Sequence, residues 1–138
     1  ELELIYTVAK LTDKLEKPYR GIITLKDSVN TQGALDAGFD VDAEEIIEAV
    51  KAGQIKGLLI VGEDVDGLDV KPEYLAVMDI FDTVNTEAAD LVIPMASLAE
   101  SCGTITRTDN TTGTVNPAIA SKTGMDNVEV LDGVLGFL

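Results

Sequence analysis

Three short apolar runs, each closed by polar or proline punctuation, constrain this chain more than any other feature. Leu58–Val61 reads LLIV, Leu75–Met78 reads LAVM and ends on Asp79, and Leu91–Ile93 is stopped by Pro94. Runs this short, apolar throughout and rich in β-branched residues suit strands buried on both faces of a parallel sheet. A polar turn, Thr83–Thr86, separates the second run from the third. A well-marked helix precedes the first. Asp42 stands at its N-cap, Glu45 follows three residues later as in a capping box, Ile46, Ile47 and Val50 form its apolar face, and Gly53 ends it. Helix, strand, connection, strand is the grammar of an α/β domain.

The remaining segments fit around that centre. Leu4, Val8, Leu11 and Leu15 share one helical face, which predicts an amphipathic helix stopping before Pro18. Gly21–Leu25 reads as a short strand closed by Lys26 and Asp27, and Asn30–Gly38 as a loop or a single helical turn. Ser97–Gly103 predicts a turn of helix. Thr104–Val115, rich in threonine around Asp109-Asn110, predicts a small β-hairpin. Asn127–Leu138 has the apolar pattern of a broken helix. There is no internal repeat. The 138 residues are expected to form a single α/β domain, 1–138; the start at Glu1, with no initiator Met and no signal-like segment, suggests a piece of a larger subunit.

Composition removes many functions. With 10 Lys and Arg against 25 Asp and Glu, the net charge is −15, which argues against binding nucleic acid or an anionic membrane surface. No apolar run approaches the roughly 20 residues of a membrane span, so no membrane insertion is expected and the cytoplasm is the default location. One Cys and no His exclude an intrachain disulfide, a Cys/His zinc site and a Ser-His-Asp triad. An iron–sulfur cluster held by this chain alone is excluded too. Cys102 reads as an inert small residue.

Acidic residues gather near the ends of the predicted strands: Glu63, Asp64 and Asp66 after the first, Asp79 and Asp82 after the second, Glu87 and Asp90 before the third. Open parallel sheets bind their ligands outside the carboxyl ends of their strands. Asp64 and Asp79, brought close by adjacent strands, have three uses open to them. They can hold Mg²⁺, accept hydrogen bonds from a nucleotide base or ribose, or cap helix N-termini. Asp79-Ile80-Phe81-Asp82 is not the nucleophile motif of haloacid-dehalogenase-type phosphotransferases, because two residues rather than one separate its carboxylates. Neither glycine-rich phosphate fingerprint is present.

Three ordered segments carry a family resemblance: VNTQGALDAG (Val29–Gly38), IKGLLIVGED (Ile55–Asp64) and LAVMDIFDTVNTEAADLVIPMASLAESCGTITRT (Leu75–Thr108). Together they resemble the molybdopterin oxidoreductase family, especially formate dehydrogenase alpha chains and the related subunit of bacterial NADH dehydrogenase. The resemblance covers nearly the whole chain. It implies an α/β, Rossmann-like three-layer domain with a mainly parallel sheet and a small C-terminal β-hairpin.

The same resemblance implies that the chain helps a larger oxidoreductase bind a molybdopterin guanine dinucleotide. Iron–sulfur clusters would lie elsewhere in the parent chain, and no cofactor would be bound by this fragment alone, which would be inactive. Its implied partners are the remaining domains of the parent and other electron-transfer subunits. Carried over by position, the cofactor-facing residues are Gly62, Glu63, Asp64, Met78, Asp79, Thr83 and Ser101, with Asn30 and Gln32 as further members. Asp79 is the expected acceptor for the guanine. The chain departs from the family pattern at Val65 (Pro), Met78 (Gln), Ser101 (Lys) and Ile105 (Phe), and Thr108–Asn116 lacks the family's Arg. These departures keep a second reading open, a pterin-free scaffold in an NADH dehydrogenase- or hydrogenase-like complex. A third is a free-standing acidic domain binding Mg²⁺.

Overall fold

The computed structural model describes residues 1–15, 21–26, 28–39 and 42–136. Its elements are, in order, α1 (Leu2–Leu11), α2 (Thr31–Asp36), α3 (Ala43–Lys51), β1 (Gly57–Val61), β2 (Tyr74–Asp79), α4 (Val84–Ala88), β3 (Leu91–Pro94), β4 (Gly103–Thr106), β5 (Thr112–Val115) and α5 (Asn127–Leu135). They make a mixed α/β fold with a parallel three-stranded sheet, β1-β2-β3, and a small antiparallel hairpin, β4-β5, as the sequence predicts. The chain divides into two compact units, unit 1 (Glu1–Gly38 with Ile105–Gly113) and unit 2 (Phe39–Thr104 with Thr114–Leu138).

Unit 2 is built on β2. Leu58 pairs with Leu75, Ile60 with Val77, Ala76 with Leu91 and Met78 with Ile93, so β2 has a parallel neighbour on each side. Side chains alternate faces along a strand. Leu75 and Val77 therefore join Ile60 on one face, where Leu58, Val65, Leu68 and Ala89 pack against them. Ala76 and Met78 are buried on the other face. Four consecutive buried residues in one strand explain the unbroken apolar run. Fully burying each large side chain contributes roughly 1.5–3 kcal/mol.

The flanking elements are fixed by local chemistry. Asp42 caps α3 by accepting the Glu44 N–H at 3.2 Å; the expected reciprocal arm from Glu45 is not the bond that forms. Thr83 caps α4 in a reciprocal box with Thr86, so the expected polar turn is in fact the opening of a short helix. Asp126 and Glu129 close a similar box on α5. Ser97–Gly103 is not helical: residues 98–100 form a turn, with Glu100 folding back to accept from the N–H and Oγ of Ser97, and Gly103 opens β4.

Unit 1 departs further from expectation. α1 ends at Leu11, where the Thr12 hydroxyl donates to the Val8 carbonyl and Asp13 turns into the left-handed region at φ 55°. Leu15 thus lies outside the helix, and the expected stop at Pro18 falls outside the described residues. No residue of α1 is buried. Residues 22–26 are irregular rather than a strand, with Ile23 and Leu25 exposed; β propensity alone does not make a strand without a pairing partner. Asn30–Gly38 holds a short regular helix, α2, where the sequence suggests a loop or a single helical turn. At the hairpin tip Asn110 takes φ 63°, a conformation that Asn tolerates better than most residues.

Candidate cofactor site

All three strands of the parallel sheet run the same way, so their carboxyl ends share one edge. Gly62 leaves β1 at φ 65°, and its N–H donates to the Met78 carbonyl at 2.8 Å. A Cβ at this position would lie 3.1 Å from the Met95 methyl and would hold an L-residue in the left-handed region. The left-handed backbone is what favours glycine here, since the Met95 methyl is the end of a flexible side chain. The chain then presents exposed Glu63 and Asp64.

Asp79 closes β2 at the same edge. Its Oδ1 accepts the N–H groups of Ile80 (2.6 Å) and Phe81 (2.9 Å), which fix the orientation of the carboxylate. Two turns of chain are tied together by Asn85, a residue for which sequence reasoning proposes no role. The residue is only 4% exposed, and its Nδ2 donates to Asp64 Oδ1 at 2.6 Å and to the Val65 carbonyl at 3.3 Å. The available signal was its place in the first turn after a threonine N-cap. Gly62, Glu63, Asp64, Asp79 and Thr83 therefore gather at one end of one sheet.

Other expected positions are spent elsewhere. The Met78 side chain is fully buried, and its carbonyl is taken by Gly62. The Ser101 hydroxyl donates to the Ser97 carbonyl (2.9 Å) and accepts from Asn127 Nδ2 (3.3 Å). Asn127 also grips both backbone groups of Ala96, at 2.8 Å each. Ser101 thus belongs to a clasp holding the chain after β3, completed by Asp126, which accepts from the Cys102 N–H. Asn30 and Gln32 lie in unit 1, where Asn30 Oδ1 accepts the Thr106 N–H at 2.9 Å and Gln32 donates to Asp36 at 2.8 Å.

Asp90 sits at the opposite, amino edge of the sheet. One oxygen accepts from Lys71 Nζ (2.7 Å) and the other from the Leu75 N–H (2.8 Å), and these bonds hold its carboxyl below the usual carboxylate range. Among the described residues no group of three or more His, Cys, Asp or Glu side chains could hold a metal ion.

A family model described as molybdopterin oxidoreductase matches residues 2–125. The chain belongs to the molybdopterin oxidoreductase family. One relative is the F420-dependent formate dehydrogenase 1 subunit alpha of Methanococcus maripaludis, 29% identical over 153 aligned positions. That match covers 83% of this chain and 23% of the relative, so the chain spans about a quarter of the length of the curated relative it matches. No helix among the described residues is long and apolar enough to cross a membrane.

Proposed function

We propose that this chain is an internal domain of a formate dehydrogenase-like, molybdopterin-dependent oxidoreductase, and that the carboxyl edge of its parallel sheet helps bind the guanosine end of a pterin guanine dinucleotide. The observation that carries the reading is the fixed carboxylate of Asp79, turned by two backbone N–H groups at the edge where such sheets receive ligands. A guanine presents N–H donors on one edge, and a ribose presents hydroxyls. Acceptor groups at Glu63, Asp64 and Asp79 suit both. Gly62–Asp64 and Asp79–Thr83 include no Lys or Arg, so this edge would leave the pyrophosphate to other parts of the enzyme. When bound, the molybdopterin supplies the redox chemistry. The residues of this domain would bind and orient.

Asp79→Asn in the full-length parent is the direct test. The amide oxygen of Asn still accepts from Ile80 and Phe81, so the turn survives while the charged acceptor is lost. Guanine nucleotide released from the purified enzyme should fall about tenfold or more, the value of one charge-assisted hydrogen bond. Unchanged cofactor content would overturn the proposal, and a domain that unfolds would make Asp79 a structural cap instead.

A second reading has a specific observation in its favour: Met78 and Ser101, two of the expected cofactor-facing positions, are used for packing and for the clasp. A pterin-free scaffold in an electron-transfer complex would use them this way. Elemental and pterin analysis of the full-length parent separates the two, since bound pterin with molybdenum or tungsten excludes the scaffold.

A further inference from the structure

We infer that Asp66-Gly67, in the turn that follows β1, is a site of spontaneous isoaspartate formation, and so a substrate for a methyltransferase that recognises isoaspartyl carboxylates. The reaction belongs to the turn itself and is independent of the proposed cofactor role. Asp-Gly is the dipeptide in which this rearrangement meets least steric resistance, because glycine has no Cβ to shield its nitrogen. The chain holds the pair twice, at Asp66-Gly67 and at Asp132-Gly133. Sequence does not rank them; the structure does.

Asp66 and Gly67 form an exposed turn. Among the described residues no hydrogen bond engages the Asp66 carboxylate or the Gly67 N–H. Gly67 has φ 80°, and a Cβ placed on it would meet nothing within 4 Å. Both residues can therefore rotate until the nitrogen reaches the side-chain carboxyl carbon. Asp132-Gly133 lies inside α5. The Asp132 carbonyl accepts the Gly136 N–H at 2.9 Å, and within a helix each N–H is engaged by the carbonyl four residues back. The Gly133 nitrogen must leave that ladder before it can attack.

Water is the only co-reactant. The Gly67 nitrogen adds to Cγ of the protonated Asp66 carboxyl and an N–C bond forms. The nitrogen loses its proton and the carboxyl hydroxyl leaves as water, closing a five-membered succinimide. Hydrolysis returns that water. Opening at the Cγ carbonyl restores aspartate, whereas opening at the α-carbonyl leaves the main chain running through Cβ and Cγ with the α-carboxylate as a side branch. Mass and charge are unchanged and nothing is oxidised or reduced, but the main chain is one methylene longer. Length matters at this turn. Val65 on one side and Leu68 on the other pack against Ile60, Leu75 and Val77, and a longer chain between them cannot keep both in place. The Val65 carbonyl also accepts from Asn85, so the isomer loosens the Asn85 bridge to Asp64.

Ageing of the full chain at physiological temperature and mildly acid pH, in buffer and in guanidinium chloride, tests the site. Peptide mapping locates isoaspartate, and a purified isoaspartyl methyltransferase with labelled S-adenosylmethionine counts it. In buffer, isoaspartate should build up at Asp66 about tenfold faster than at Asp132. In guanidinium chloride, where α5 is lost, the two rates should converge. Asp66→Glu, whose cyclisation needs a slower six-membered ring, should remove most of the methyl acceptance and leave the circular dichroism spectrum unchanged. Equal rates at the two positions in buffer would overturn the proposal, as would no isoaspartate at Asp66 or methyl acceptance undiminished in Asp66→Glu.

Discussion

Both edges of the parallel sheet carry carboxylates, and use them differently; among the described residues only the amino edge pairs them with lysines. At the amino edge both oxygens of Asp90 are engaged, by Lys71 and by the Leu75 N–H, and Lys56 pairs with Glu73 at 2.8 Å. At the carboxyl edge the Asp79 bonds to Ile80 and Phe81 converge on Oδ1, and Glu63 and Asp64 are exposed. An Asp at the start of a strand meets a backbone N–H that needs an acceptor. An Asp at the end of one meets a turn and open solvent. Position in the sheet, not residue type, separates the structural carboxylates from the candidates for binding.

The largest expected effect removes both edges together. Leu75→Ala, at a side chain with no exposure, should destabilise by about 2–5 kcal/mol in urea unfolding, because β2 is shared by both. Asn85→Ala should cost about 1–3 kcal/mol, since a buried link to Asp64 and Val65 is lost, and should raise amide hydrogen exchange at the carboxyl edge alone. Faster exchange at Leu75 as well would show that the two edges are not independent. Gly62→Ala should cost about 1–2 kcal/mol for its left-handed backbone.

Acid provides a graded comparison. Asp90 is held below its usual range chiefly by Lys71, Glu100 by the Ser97 side chain and Asp126 by the Val128 N–H. In each case the unfolded chain takes up its proton at higher pH than the folded one. Their stabilisation is complete above the ordinary carboxylate range and is lost as pH falls through the lower folded-state values. Asp90→Asn should flatten part of that acid loss, measured as urea midpoint against pH. Asp79→Asn should have the smallest effect on stability, at most about 0.5 kcal/mol. A larger loss would place Asp79 with Asp90 among the structural acids.

Much of the fold was legible because its signals are local. The runs at Leu58–Val61, Leu75–Met78 and Leu91–Ile93 are strands, Asp42 caps α3, and Asp109-Asn110 turns the hairpin, each within a few residues of its cause. Gly21–Leu25 shows the limit of such signals. It has strand composition, yet pairing depends on a neighbour that composition does not specify. The candidate site was legible as a set of acids at strand ends and not as a geometry. Asn85 reaches Asp64 across 21 residues and Asn127 reaches Ala96 across 31, distances over which no sequence pattern operates.

By itself, then, the sequence determined the α/β class, the parallel strands, the carboxylates near their ends and the family, all of which follow from hydrophobic runs, turn residues and ordered motifs. Only the tertiary structure decided which carboxylates are engaged with the protein, that Met78 is core, that Ser101 belongs to a clasp, and that Asn30 ties Thr106 to α2. The reason is physical. A side chain's partners are set by the register of strands and the closure of long loops, and both are properties of the folded chain.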